Sequence, residues 1–190
     1  DGMIKVNGIT IAEDNEKYRK NISYIPESPV LYDELTLEEH INLTAMAYGL
    51  NMKEAWEKAD VLLKLFKLSD KKKFFPVHFS KGMKQKVMII CSFLVEPNLY
   101  IIDEPFLGLD PIAINDLINL MCEKRDNGAS ILMSTHILAT AEKYCDNFII
   151  IHEGKILASG KLSDLRKEFN MADASLDEIY LALTTRGQDE

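Results

Sequence analysis

Two short apolar runs, Leu99–Ile102 and Ser130–Ser134, flank a stretch in which Ile114, Leu117, Ile118 and Met121 recur at helical spacing and which stops at Gly128. A strand that is apolar along its whole length has no face to offer water, so it belongs in a sheet covered on both sides. The helix between the two runs is the crossover that parallel strands require. This unit predicts an α/β fold with a buried parallel sheet at its core.

The remaining pattern is arranged around that unit. Met3–Val6 and Ile9–Ile11, joined by Asn7-Gly8, read as a β-hairpin, because Asn-Gly favours the turn whose twist matches the strands. Ile22–Ile25 reads as a further strand ending at Pro26-Glu27. From Thr36 the texture turns helical: Thr36-Leu-Glu-Glu39 fits a capping box, Leu37, Ile41, Ala45 and Tyr48 follow on one face, and Gly49 closes the helix. Ala55, Ala59, Leu62, Leu63 and Phe66 line a second helix, Ser69–Pro76 reads as a solvated loop, and another helix begins near Lys81. A third apolar run spans Phe148–Ile151, and Leu176, Ile179, Tyr180 and Leu183 form an amphipathic helix expected to dock on the core. Trp56, Met46 and Met52 are expected to pack within the helical part. No internal repeat and no low-complexity linker is present.

Composition excludes several classes. With 190 residues, 47% of them hydrophobic, the chain can bury one substantial core with a smaller subdomain. Its formal charge of −8 argues against a nucleic-acid surface, which needs a cationic stripe. Cys91, Cys122 and Cys145 are odd in number and far apart, which suggests neither a disulfide framework nor a zinc site and fits a reducing cytosol. His40, His78 and His152 show no metal spacing. No apolar run reaches the roughly 18 residues of a membrane helix. The chain begins at Asp1 in a polar lead-in, so we expect upstream sequence to be missing.

In open α/β sheets ligands lie at the carboxyl ends of the strands. Just past the first run stand Asp103 and Glu104; just past the second stand Thr135 and His136. Carboxylate oxygens suit magnesium, and a second carboxylate beside it can orient an attacking water. The plainer alternatives are a turn-capping pair of acids and a structural imidazole. A further clue is Phe79-Ser-Lys-Gly-Met-Lys-Gln-Lys86: Ser80 reads as a helix N-cap, with Lys81, Lys84 and Lys86 at the end where cations are disfavoured. The stretch is either an anion site or a solvated lysine face.

Together these residues resemble a family, the ATP-binding cassette (ABC) proteins. Phe79-Ser-Lys-Gly-Met83 is similar to its signature motif Leu-Ser-Gly-Gly-Gln, Leu99–Glu104 to its Walker B strand, Gly108-Leu-Asp-Pro111 to its D-loop, and Ser134-Thr-His136 to its switch histidine. The similarity runs from the first hairpin to Ser175–Tyr180, and is greatest to ATPase subunits of bacterial exporters of the Ecs type. The resemblance implies a P-loop NTPase-like parallel sheet with a small antiparallel portion and a helical subdomain. Residues 1–32 and 98–190 would form the ATPase core and 33–97 the helical subdomain. It implies ATP and Mg2+ as cofactors, with Asp103 holding the metal through water, Glu104 polarising the attacking water and His136 contacting the γ-phosphate. Ser80 and Gly82 would complete the site of a second ATPase subunit in a head-to-tail dimer, with Asp110 linking the two sites. Transmembrane subunits would be the other partners, met near Glu27–Tyr32, placing the chain on the cytoplasmic face of a membrane.

Two departures stand out. Glu27 occupies the place of the family's magnesium-sensing glutamine, which adds a carboxylate beside phosphates and metal. Lys81 and Met83 replace a glycine and a glutamine of the signature. Moreover, no Gly-x-x-x-x-Gly-Lys-[Ser/Thr] occurs: Gly154-Lys155 and Gly160-Lys161 are followed by Ile156 and Leu162. In the family that loop precedes the hairpin, so the expectation is a chain that starts after it and is inactive on its own. The alternatives are an ABC ATPase acting on ribosomes or DNA, and a non-catalytic regulatory half-site.

Overall fold

The computed structural model describes residues 2–185, which divide into two units, one ending at Ser134 and the other beginning at Thr135. In the first, β1 (Ile22–Ile25), β2 (Leu99–Asp103) and β3 (Ser130–Ser134) form a parallel sheet in the order β1-β2-β3. The register aligns Ile25 with Ile102 and Ile102 with Met133, so all three strands end at one edge. Side chains in register share a face. Ser23, Ile25, Tyr100 and Ile102 point into the core, while Tyr24 and Leu132, each 54% exposed, lie on the opposite face. The strands are thus covered on one side among the described residues, and not on two as the apolar runs predict.

Five helices accompany this sheet among the described residues. The segment before β1 forms α1 (Asn15–Lys20), capped by Asp14, an element that its polar sequence does not announce. In α2 (Leu37–Tyr48) the capping box is present in full, with Thr36 Oγ1 accepting from Glu39 N and Glu39 Oε2 accepting from Thr36 N at 2.7 Å. Gly49 ends it at φ 68°, a left-handed position that costs glycine nothing. Helices α3 (Met52–Leu65) and α4 (Lys81–Leu94) pack with it, and α4 also packs on β1. There Ser23 Oγ and Ser92 Oγ share a buried hydrogen bond of 2.5 Å. Trp56 packs as expected and donates to Asn42 Oδ1, whereas Met46 is exposed. The expected loop at Ser69–Pro76 is more ordered than its lysines suggest: two short 3-10 turns form, and Lys72 pairs with Asp60 and lies over the Trp56 ring. The crossover helix α5 (Pro111–Asp126) packs on β3.

At the first hairpin only the turn survives. Val6 and Ile9 exchange both backbone bonds around Asn7 and Gly8, at φ 49° and 75°, but no strand extends beyond them. Met3, Ile4 and Ile11 remain exposed, and a two-stranded ribbon with nothing on its apolar face is marginal.

The second unit contains α6 (Leu138–Tyr144), β4 (Phe148–His152), β5 (Lys155–Gly160), α7 (Leu162–Glu168) and α8 (Leu176–Thr185). The third apolar run, as β4, pairs antiparallel with β5 through a turn at Glu153-Gly154 and stays outside the parallel sheet. Its core joins Phe148, Ile150, Leu165, Leu176 and Ile179, so the amphipathic C-terminal helix docks on protein as expected.

Candidate active site at the strand ends

The parallel register brings three chain segments of the first unit to one sheet edge: Pro26-Glu27 after β1, Asp103-Glu104 at the end of β2, and Ser134 at the end of β3. Ser134 organises this edge. Its hydroxyl donates to Asp103 Oδ1 and accepts from Glu104 N at 3.3 Å, while its carbonyl accepts from the same amide at 3.2 Å. One side chain therefore fixes the first carboxylate and the backbone of the second. Ser134 enters the sequence argument only as the end of an apolar run and the start of the switch stretch, because its tethering role depends on strand order.

Glu104 sits at φ 44°, in the left-handed region, and is followed by Pro105. A non-glycine residue there costs of order 1 kcal/mol or more and persists where the surroundings impose it. The imposing neighbours are the two Ser134 contacts on its amide, the buried Pro105 and Phe106, and a turn in which Leu107 N donates to Glu104 O at 3.3 Å. Strain at a carboxylate on a strand-end turn marks a place where direction matters more than stability. Glu27, exposed on the neighbouring turn, lies at the same edge. Among the described residues no three of His, Cys, Asp and Glu converge as a ready-made cage. One or two carboxylates completed by waters and substrate phosphates are the usual magnesium arrangement, and the acids here fit that kind of site.

The second cluster joins Ser80, Gly82, Gly108 and Asp110. Ser80 caps α4, its Oγ accepting from Met83 N at 3.3 Å. A Cβ on Gly82 would lie 2.4 Å from the carbonyl oxygen of Gly108, so the first turn of α4 packs on the loop after β2 with no room for a side chain. Asp110 caps α5 through Oδ1, which accepts from Ala113 N at 3.0 Å, and its Oδ2 accepts from Lys86 Nζ at 2.8 Å. The Lys86 hydrogen bond, helped by the Ala113 amide, holds the Asp110 carboxyl down to about 2. Lys86 is thus committed to Asp110, and is not one of three lysines awaiting an anion. Sequence spacing shows Lys86 only as part of a basic helix start; its partner, 24 residues on, needs the fold.

This pairing of a strand-end carboxylate couple with a capped, glycine-seated helix start invites comparison with known proteins. The ABC transporter family profile matches residues 1–107, more than half of the chain. An ABC-type transporter ATP-binding protein, EcsA of Bacillus subtilis (strain 168), is 62% identical over 96% of this chain and 74% of its own length.

The chain belongs to the ABC transporter family.

Another ABC transporter ATP-binding protein of the same organism, YthP, is 44% identical over 84% of this chain and 68% of its own. A solved structure described as the ATP binding subunit of an ABC transporter superposes with a TM-score of 0.94 at 58% identity, covering 97% of this chain and 77% of that one. The chain is accordingly an ATP-binding component of an ABC transporter, of a family that hydrolyses ATP. Among the described residues no helix is long and apolar enough to cross a membrane. Of the site residues expected from sequence, the ABC fold brings Glu27, Asp103 and Glu104 to one edge and joins Ser80, Gly82 and Asp110 through the α4–Gly108 contact and Lys86. His136 belongs to the second unit, in the segment before α6, where Ile137 N donates to Thr135 Oγ1 at 3.1 Å.

Proposed function

We propose that this chain drives export across a membrane, with Asp103 as the magnesium-holding carboxylate, Glu104 as the residue that polarises the attacking water, and His136 as the contact to the γ-phosphate. The observation that carries this reading is the Ser134 network, which fixes Asp103 and the backbone of Glu104 together at the carboxyl edge of a parallel sheet. Bound magnesium would neutralise charge on the transferred phosphoryl group. Glu27, at the same edge, adds a second carboxylate toward that metal. Ser80 and Gly82 serve the nucleotide of a second ATPase subunit arranged head to tail, and Asp110 links the two sites. Residues 33–97 act as the helical subdomain, whose junction around Glu27–Tyr32 meets transmembrane partners on the cytoplasmic side. The 190 residues hold no phosphate-gripping glycine loop, so ATP binding by them alone is expected to be poor.

Magnesium-dependent ATP hydrolysis by the full-length protein, measured beside its Glu104→Gln variant, tests the assignment. Loss of an acid-base residue typically costs about 10²–10⁴ in rate. A Glu104→Gln rate within about threefold of the unmutated one would remove Glu104 from the chemical step.

A further inference from the structure

Charge is unevenly spread along the chain. From Asp60 to Lys86 there are eight lysines and two acids, a net +6, which leaves −14 for the remainder. Three of the eight lysines are committed: Lys71 pairs with Asp70, Lys72 with Asp60 and Lys86 with Asp110. Lys81 and Lys84 stand beside Ser80 and Gly82 in the helix start described above. Lys64, Lys67 and Lys73 are exposed and have no acid partner among the described residues. They gather around one end of α3. Lys64 lies one helical turn beyond Asp60, the residue that pairs with Lys72, and Lys67 follows just past the C-cap. Beside these lysines the chain holds apolar side chains out to water: Phe74, Phe75 and Val77 are 46%, 40% and 60% exposed around the buried Pro76. Their backbone is fixed to the first turn of α2, since Glu38 N donates to Lys72 O at 2.9 Å and Leu37 N to Phe74 O at 3.0 Å. A solvated lysine face alone does not account for three neighbouring apolar side chains in water.

We propose that residues 64–77 form a membrane-surface contact, in which Lys64, Lys67 and Lys73 meet the phosphates of an anionic bilayer while Phe74, Phe75 and Val77 enter its headgroup layer. Basic clusters are drawn to anionic lipid, and apolar side chains beside them add burial at the headgroup boundary. A lysine stem lies along apolar surface while its ammonium reaches outward, and Lys71 Nζ sits 5.0 Å from the Phe74 ring centroid. The Lys71–Asp70 pair is exposed, so exchanging Asp70 for a lipid phosphate costs little. The −14 on the remainder of the chain sets the orientation, because a surface that attracts this end repels the rest. Nucleic acid is the rival polyanion. Single strands are gripped by stacking bases on rings, and Val77, the most exposed of the three apolar side chains, offers none. The choice of a bilayer also rests on the coupling to membrane partners proposed above.

Cosedimentation of the full-length protein with vesicles of phosphatidylcholine containing about one-third phosphatidylglycerol tests the contact. Binding is expected there, and is expected to fall by about tenfold or more on phosphatidylcholine alone and at about 0.5 M salt, where screening is short-ranged. Replacing Lys64, Lys67 and Lys73 together by glutamine is expected to weaken it about fivefold per lysine, on the order of 100-fold in all. Phe75→Ser combined with Val77→Ser is expected to weaken it with its salt dependence unchanged, and Lys53→Gln, at the other end of α3, to leave it intact. These side chains are exposed, so an unmoved urea midpoint confirms that each variant folds. Absence of binding to the phosphatidylglycerol vesicles, binding that the triple lysine variant retains, or displacement from the vesicles by a single-stranded oligonucleotide at equal phosphate concentration would overturn the contact. Any of these would leave the coupling standing, because a complex with transmembrane subunits is isolated in detergent without a bilayer. Lipid binding as expected by a protein that copurifies with no transmembrane subunit would keep the contact and overturn the coupling.

Discussion

Adding a single methyl group at Gly82 sets two effects of opposite sign against each other. Gly82 lies in the first turn of α4, where alanine should be favoured over glycine by up to about 1 kcal/mol through helix propensity. The new Cβ, however, would stand 2.4 Å from Gly108 O, a backbone atom that cannot swing aside as a side chain would. The loop behind it is anchored by buried Phe106 on one side and by the Asp110–Lys86 pair on the other. Overpacking against a fixed neighbour costs about 1–3 kcal/mol, so the clash wins and Gly82→Ala is expected to destabilise by about 1–2 kcal/mol net. At a urea slope of about 2 kcal/mol per molar this lowers the unfolding midpoint by roughly 0.5–1 M. Equilibrium urea unfolding followed by circular dichroism measures it. A midpoint that rises, as propensity alone requires, would refute the reasoning.

Tyr100 is stacked on Phe93 at 4.7 Å, but its buried hydroxyl has no partner among the described residues, so Tyr100→Phe is expected to stabilise by about 1 kcal/mol in the same assay. A loss of stability would show that the hydroxyl is satisfied after all. Ser134→Ala removes both the donor to Asp103 and an acceptor for Glu104 N; on the proposed role of Asp103 in holding magnesium, loss of such a supporting hydrogen bond is typically worth about 10–100-fold in metal affinity, so a magnesium titration of ATPase activity should shift by about that factor. An unchanged magnesium requirement would leave Ser134 a purely structural tie. Lys86→Met tests the depressed Asp110 carboxyl. A group whose folded value lies near 2, below its ordinary carboxylate range, contributes stability that is present above about pH 4 and lost as pH falls toward 2. The mutant should therefore be less stable than the unmutated chain at pH 7, by the small amount a half-exposed pair allows, and equal to it near pH 2. A difference that persists undiminished at pH 2 would locate the effect of Lys86 in packing.

What the sequence discloses is local in origin. The α2 capping box, the Asn7-Gly8 turn and the Ser80 cap depend on residues three or four apart, and each is legible because its hydrogen bonds close within one turn of chain. The two apolar runs around α5 yield the β2–β3 pairing for a similar reason, since a crossover helix of that length leaves parallel neighbours as its natural product. Tertiary context decides the rest. Lys86 reads as one of three like lysines until the fold brings Asp110 to it, and Ser134 reads as the tail of a strand until β3 lies beside β2. The strands of the first hairpin fail where local preference was good, because Met3 and Ile4 find nothing to cover them. Strand β5 escapes notice because half of it is Ala158-Ser159-Gly160, residues with little strand preference. Asp103 and Glu104 are conspicuous in sequence, but the left-handed backbone of Glu104 and the shared serine that helps impose it are properties of two strands in register.

The uncovered face of that register has a practical side. Strand β3 pairs with β2 along one edge only among the described residues, and presents Leu132 to water on the same face as Tyr24. A free row of backbone donors and acceptors next to exposed apolar side chains is a template for another strand. In concentrated preparations these 190 residues should therefore tend toward colloidal association through Ser130–Ser134. A lysine in place of Leu132, on the open face and clear of the Ser134 network, is the change that should keep them dispersed.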